Sequence, residues 1–241
     1  MLNLRLSPLP GFLLGGIVSL MIGCSAVDPD ALLAKATAHH RAGEHASARI
    51  ELQLLLQEAP NHLEARLLRG QVALELGDPA AAEAAFEHAR RLGASGERFE
   101  LNVLRTKLLQ GHADYVVGQI VASGLDSPAA RLLEAQGFAA LGRFEPAEKA
   151  FRAVLTRTPE NHEASRGLAR VLLHARKFDD SRDTLDNLAT RESEDGGRVL
   201  TATRFLQAEV ALAQARLDDA EAAYRDAVSY THLRAHETNV D

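Results

Sequence analysis

Aromatic residues are scarce in this 241-residue chain, and tryptophan is absent. Phenylalanine and tyrosine together account for 5% of the residues, so the chain is short of the aromatic side chains that β-strands favour. Alanine, leucine, glutamate and arginine, which favour helix, are abundant instead. The composition therefore predicts an all-α protein rather than a sheet-rich one.

The chain also lacks an excess of positive charge and any recognisable catalytic motif. Its formal net charge of −6 leaves no basic stripe for nucleic acid, so we expect no nucleic-acid partner. There is no glycine-rich phosphate loop, no HExxH and no G-x-S-x-G elbow. His39 is expected to point inward and His40 and His45 to be solvated, without the further ligands that a zinc site needs. We predict no enzyme activity, no metal and no cofactor.

The single cysteine, Cys24, directly follows a short apolar stretch at the amino terminus. It has no partner for an internal disulfide. The apolar run of residues 12–23 is shorter than the roughly 20 residues of a membrane span, but it has the length of a secretory signal core. The residues Met21-Ile22-Gly23-Cys24 resemble a bacterial lipobox, in which the cysteine becomes the lipidated first residue of the mature protein.

The lipobox resemblance implies a membrane anchor and a location. Ser25 stands where aspartate is linked to inner-membrane retention, so the resemblance implies the periplasmic face of a Gram-negative outer membrane. Residues 1–23 would be the signal peptide and residues 24–29 a lipidated tether. The alternative is an ordinary cleaved signal with an incidental cysteine.

A pattern of small and large residues recurs about every 34 residues along the chain. Gly43 and Gly77 are 34 residues apart, as are Ala48 and Ala82. The spacing shortens by three residues before Gly142 and lengthens by five before Ala220. The other members of the pattern are Phe86, Ala147, Phe151 and Tyr224.

This pattern resembles the tetratricopeptide repeat, a helix–turn–helix unit of 34 residues, over roughly residues 30–227. The resemblance implies a right-handed α-solenoid of about six units. Small residues would let the two helices of a unit approach closely, large apolar residues would fill the space between units, and glycines would form the turns. A generic helical bundle is the alternative.

The repeat pattern stops after Ala227. The string SYTHLRAHET (229–238) resembles the translation of a transposase adapter used in sequencing libraries, so we interpret residues 228–241 as an artefactual tail. A genuine disordered terminus is the alternative. We therefore do not assign His232 and His236 as metal ligands, and we expect the natural protein to continue past Ala227.

Tetratricopeptide arrays expose the first helix of each unit in a concave groove. The repeat phase places seven residues there, for which ordinary solvated helix faces are the alternative. The arginines among them could hold carboxylates or backbone oxygens, and the leucines could contact an apolar segment. We therefore expect the partners to be envelope proteins or peptide segments. The predicted groove residues are Gln71, Leu74, Arg105, Leu108, Gln136, Arg166 and Arg170.

The lipobox together with the segment that follows it, residues 32–94, resembles one group of repeat proteins. These are the tetratricopeptide lipoproteins encoded with exosortase (PEP-CTERM) and exopolysaccharide systems. The resemblance implies a non-catalytic, membrane-tethered scaffold for export or assembly. One alternative is an outer-membrane or pilus-secretin assembly lipoprotein. Another is the docking arm of an enzyme whose catalytic domain lies beyond Ala227.

Overall fold

The protein is an array of antiparallel helix pairs. The computed structural model describes residues 28–194 and 201–237, and over these ranges it contains twelve α-helices and no strand. Cys24 and the predicted signal peptide lie outside the described residues. The helices are α1 (Pro29–Arg41), α2 (His45–Glu58), α3 (Leu63–Glu75), α4 (Pro79–Arg91), α5 (Glu97–Leu109), α6 (Ala113–Ser123), α7 (Pro128–Ala140), α8 (Phe144–Arg157), α9 (His162–His174), α10 (Phe178–Glu194), α11 (Thr201–Ala213) and α12 (Leu217–Glu237).

Each helix packs against the next one in sequence, and the first helices of the pairs also pack side by side. The contacts α1–α3, α5–α7, α7–α9 and α9–α11 line up these first helices along one side of the array. The prediction of an all-α solenoid of about six helix pairs is confirmed. No helix in the described part of the chain has the length and hydropathy of a membrane span.

Several helices begin at caps that the sequence encodes locally. The Asp78 carboxylate accepts the backbone N–H of Ala81 at 2.9 Å, and the Ser127 hydroxyl oxygen accepts that of Ala130 at 3.1 Å. A proline follows each of these two caps at the first helical position, where its missing N–H costs nothing. Such caps satisfy amide groups that have no partner within the helix.

Each helix pair turns through one residue in the left-handed conformation. Gly142, for example, has a φ of +68° between α7 and α8. In the fifth and sixth pairs the same place is taken by Arg176 and Ala215, whose side chains disfavour this region. The six turn residues are Gly43 (+76°), Gly77 (+69°), Gly111 (+87°), Gly142 (+68°), Arg176 (+61°) and Ala215 (+58°).

Arg176→Gly is expected to raise the free energy of unfolding by about 0.5–1 kcal/mol. The left-handed penalty of about 1–2 kcal/mol is removed, and the greater chain entropy of glycine offsets part of the gain. Gly142→Ala should lower the free energy of unfolding by about 1 kcal/mol. No atom lies within 4 Å of the position of the missing Cβ, so the cost comes from the left-handed backbone alone. Urea titration followed by circular dichroism measures both. If both substitutions changed the free energy of unfolding in the same direction and by the same amount, the prediction would be contradicted.

The core consists of buried clusters that join consecutive pairs. One cluster contains Leu32 of α1, Leu52 of α2 and Leu68 of α3, so it connects the first pair to the second. Another joins α7, α8 and α9 around Phe151, which is 1% exposed. The small residues Ala48, Ala82, Ala147 and Ala220 are also buried, as the close approach of paired helices requires.

Helix α12 does not end at Ala227. Its backbone continues to Glu237, through most of the segment that we interpreted as a tail, while the described side chains end at Val228. Tyr224 is half-buried, and its ring lies 5.8 Å from that of Phe205 in α11. The adapter origin of residues 229–238 stays a prediction.

Candidate binding groove

Three clefts follow one another along the first helices of the pairs. The first has a volume of about 400 Å³ and lies among α1, α3 and α5. The second, about 120 Å³, lies between α5 and α7, and the third, about 530 Å³, among α7, α8 and α9. Asn102 lines both the first and the second, and Gln136 and Glu163 line both the second and the third. We call this continuous surface the groove.

Two rows of side chains run along the groove because it is built from equivalent helices. The ninth residue of each of the helices α1, α3, α5, α7 and α9 belongs to a polar row. The residue four positions before it belongs to a mainly apolar row. The polar row is Thr37, Gln71, Arg105, Gln136 and Arg170, and the other row is Leu33, Leu67, Leu101, Leu132 and Arg166. The groove therefore offers hydrogen-bonding groups beside apolar surface along five helices.

A small polar network lies midway along the groove. The Glu163 Oε1 atom accepts a hydrogen bond from Gln136 Nε2 at 2.7 Å, and it lies 3.8 Å from Arg105 Nη2. Arg105 Nη1 is also 4.0 Å from Glu75 Oε1. The network thus links α3, α5, α7 and α9, and the small side chain of Ala129 lines the same part of the groove.

The third cleft combines aromatic, apolar and cationic groups. The rings of Phe144 and His174 stack, with centroids 5.3 Å apart and an interplanar angle of 9°. Arg170 is exposed, and it forms no hydrogen bond or ion pair with another residue of the described ranges. Its charge is therefore available at the surface of the groove.

Arg166 lines the third cleft, but its guanidinium is already engaged. Arg166 Nη1 lies 2.9 Å from Glu192 Oε1, and the side chain of Glu192 is only 2% exposed. The Thr203 hydroxyl also donates to Glu192 Oε1, at 3.1 Å. A buried carboxylate needs such partners, and through them Glu192 of α10 joins Arg166 of α9 to Thr203 of α11. Sequence reasoning did not find Glu192, because its helical spacing resembles that of a solvated acidic residue.

The structure separates the seven predicted groove residues into two groups. Gln71, Arg105, Gln136, Arg166 and Arg170 line the clefts. The two leucines, Leu74 and Leu108, line none of the three clefts. Leu74 is 8% exposed within a core cluster with Ala73, Phe86 and Phe99, and Leu108 packs against another core cluster.

Leu74 is a correction to the sequence-based placement. Its side chain turns into the space between α3, α4 and α5, where apolar burial is favourable.

Several residues that line the groove were missed by the sequence analysis, namely Asn102, Phe144, Glu163 and His174. The repeat phase could have indicated that Glu163 lines the groove. Glu163 is the second residue of α9, and the second residues of α3 and α5, Glu64 and Arg98, line the first cleft.

The histidines near the first turn are more enclosed than the sequence suggested. His40 and His45 are half-buried with ring centroids 5.4 Å apart, so the expectation that they are solvated was wrong. Burial lowers the pKa of His40, and the nearby His45 lowers it further. His39 Nδ1 lies 2.5 Å from Glu44 Oε2. Within the described ranges no three potential metal ligands cluster.

Comparison with known proteins supports the repeat assignment. A family model described as tetratricopeptide repeat matches residues 52–97 and 132–196. No curated protein matches the chain.

Several solved structures are similar in fold. A tetratricopeptide repeat protein from Parabacteroides merdae has a TM-score of 0.68 at 15% identity, over 86% of this chain and 80% of its own. PilW, a type IV pilus biogenesis factor, has a TM-score of 0.62 at 17% identity, over 81% and 90%. Pseudomonas aeruginosa PilF has a TM-score of 0.56 at 15% identity, over 86% and 97%.

These identities show the fold alone. The helix pairs, the turn geometry and the family match agree with one another. Residues 52–97 and 132–196 match the tetratricopeptide repeat, and the described part of the chain has the fold of a tetratricopeptide-repeat solenoid.

Proposed function

We propose that this protein is a non-catalytic, membrane-tethered scaffold of the Gram-negative envelope that binds an extended segment of a partner protein in the groove. The observation that carries the proposal is the continuity of the three clefts from α1 to α9. A surface that spans five helices suits an elongated ligand better than a compact small molecule, which is usually enclosed.

The two rows of the groove support an extended segment in particular. Gln71 and Gln136 each carry a donor and an acceptor in one amide, so they can pair with the N–H or the C=O of a peptide backbone. Arg105 and Arg170 can donate to carbonyl or carboxylate oxygens. Leu67, together with the other leucines of its row, offers apolar contact beside them.

The tether is supported by the sequence around Cys24. Helix α1 begins at Pro29, five residues after the cysteine. A fully extended chain spans at most about 3.3–3.6 Å per residue, so a lipid on Cys24 would hold the amino end of α1 within about 17–18 Å of the membrane surface. The groove would therefore present its first cleft close to the membrane.

Two export systems are candidates for the partner. The exosortase and exopolysaccharide systems are favoured by the resemblance of the amino-terminal segment. Type IV pilus assembly is favoured by the fold similarity to PilW and PilF, most of whose lengths this chain covers. Both candidates place the protein in the envelope, and they differ in the partner that the groove would bind.

Photocrosslinking in cells tests the groove and separates these partners. A photoreactive phenylalanine is placed at Gln71 or Gln136, in a Gram-negative host that carries both systems. Exposed Glu87 of α4 and Lys149 of α8, which line none of the three groove clefts, are the matched controls. We expect the two groove positions to capture the same protein and the controls not to. Deletion of the pilus secretin or of the polysaccharide export apparatus then identifies the system. Capture from the control positions alone would contradict the proposal.

Cys24→Ala is expected to abolish labelling by an alkyne fatty acid and to release the protein from the membrane fraction. In the lipobox interpretation the Cys24 thiol forms the thioether to diacylglycerol that carries the acyl chains, so its removal removes the anchor, and several acyl chains are needed for stable anchoring. Ser25→Ala is the matched control and should keep both the label and the membrane association. A Cys24→Ala protein that stays in the membrane fraction would contradict the lipid anchor.

A further inference from the structure

Glu163 places a carboxylate in the middle of the groove, where a partner segment would lie. Its Oε1 atom receives the Gln136 amide at 2.7 Å and faces Arg105 at 3.8 Å. The side chains of Arg105 and Glu163 are 44% and 45% exposed. Ion pairs this exposed contribute little to stability, so a competing carboxylate can replace one member at small cost.

We propose that Glu163 occupies the position of a partner's carboxylate, so that the segment bound in the groove carries an acidic residue that displaces Glu163 from Arg105. This inference rests on the proposed function and adds the chemistry of the partner. Arg170, which has no ion-pair partner among the described residues, supplies a second cation in the adjoining cleft. Glu163 therefore acts as an internal competitor. A neutral segment that displaced Glu163 from Arg105 would form no new ion pair in its place.

The surroundings of this position favour a protein segment with apolar residues on both sides of the acidic one. Leu101 and Leu132 line the second cleft beside Arg105. Phe144 and Ala139, both half-buried, line the third cleft beside Arg170. An acidic polysaccharide also carries carboxylates, but it has no apolar side chains to place against these four residues.

The position is not simply a strong anion site. Arg105 lies near both Glu75 and Glu163, and Arg166 is held by buried Glu192. Around Glu163, in the second and third clefts, the groove therefore has one fully available cation, Arg170, and one, Arg105, that becomes available when Glu163 moves, while Arg98 lines the more distant first cleft. This arrangement predicts selectivity for a single acidic residue rather than for an acidic run.

Selection from a random 12-residue phage-displayed peptide library tests the proposal. The full chain, purified in mild detergent, serves as the target, and Arg105→Gln serves as the comparison. We expect wild-type protein to enrich peptides with one Asp or Glu flanked by apolar residues, and Arg105→Gln to lose that preference. The enriched peptide, labelled with fluorescein, is then titrated against variants.

Glu163→Gln should bind the enriched peptide about two- to fivefold more tightly, because the competing charge is gone while an amide oxygen remains for Gln136. Arg105→Gln and Arg170→Gln should each bind it about tenfold more weakly. Arg143→Gln is the control, since Arg143 is an exposed arginine that pairs with Asp114 at 3.4 Å and lines none of the three groove clefts. Circular dichroism establishes that each variant is folded.

The outcomes separate this inference from the proposed function. Peptides that need the groove but carry no acidic residue would overturn the inference and leave groove binding in place. A library that yields no groove-dependent peptide would overturn both. Weaker binding by Glu163→Gln would overturn the role of Glu163 as a competitor. Tight binding of an alginate oligosaccharide, in preference to every peptide, would overturn the choice of a protein segment.

Discussion

Replacing Phe151 with alanine is expected to lower the free energy of unfolding by about 3–5 kcal/mol. The ring is 1% exposed and lies in the cluster that joins α7, α8 and α9. Its removal takes away apolar contact and leaves a cavity that the packed helices can fill only in part. Because each repeat is stabilised chiefly by its neighbours, the loss falls on the junction between the fourth and fifth pairs.

Urea unfolding followed by circular dichroism measures the total loss, and hydrogen exchange locates it. We expect the amides of α8 and α9 to lose protection before those of α1 to α4. Lys149→Ala, an exposed change on the same helix, is the control and should stay within about 0.5 kcal/mol of wild type. A decrease of less than about 1 kcal/mol in the free energy of unfolding of Phe151→Ala would contradict the prediction, and it would show that the helices close the cavity left by the ring.

Gly167→Ala is expected to destabilise the protein by about 1–3 kcal/mol, although alanine favours helix over glycine. A Cβ at Gly167 in α9 would lie 2.4 Å from both Cε1 and Cζ of Phe151, closer than real Cβ contacts. Since Phe151 is itself tightly buried, relief requires movement of the helices. The helix-propensity gain of about 0.5–1 kcal/mol is too small to offset this overpacking.

Gly118→Ala in α6 is the matched control, and it should change stability in the opposite direction. Gly118 is exposed, and nothing lies within 4 Å of the position of its missing Cβ. Alanine there should stabilise by about 0.5–1 kcal/mol. In a Phe151→Ala background, Gly167→Ala should lose its cost, because the atoms that clash are gone. Additive effects of these two changes would contradict the steric explanation.

Much of the fold could be predicted because the signals are local. The caps at Asp78 and Ser127 directly precede the helices they begin, and the small and large residues of one unit, such as Ala82 and Phe86, lie one helical turn apart. Turns at Arg176 and Ala215 could not be predicted from residue type, since neither residue favours a positive φ. There the packing of the flanking helices imposes the backbone conformation.

The candidate groove was predictable as a surface but not as a set of available groups. Gln71 and Gln136 line it, whereas Leu74 is in the core. At half-buried helix positions a rotation of a few tens of degrees decides between groove and core, and hydrophobic spacing does not resolve so small an angle. The lipid anchor at Cys24 depends on the sequence alone and stays a prediction.

By itself, the sequence determined the helical class, the repeat length and the order of first and second helices, because these follow from residue type at fixed local spacing. Only the tertiary structure decided which charges are free. Arg166 meets Glu192 from 26 residues away, and Arg105 meets Glu163 from a helix two repeats further on. Such pairs form only once the helices stack, since the stacking alone sets the distance and burial between them.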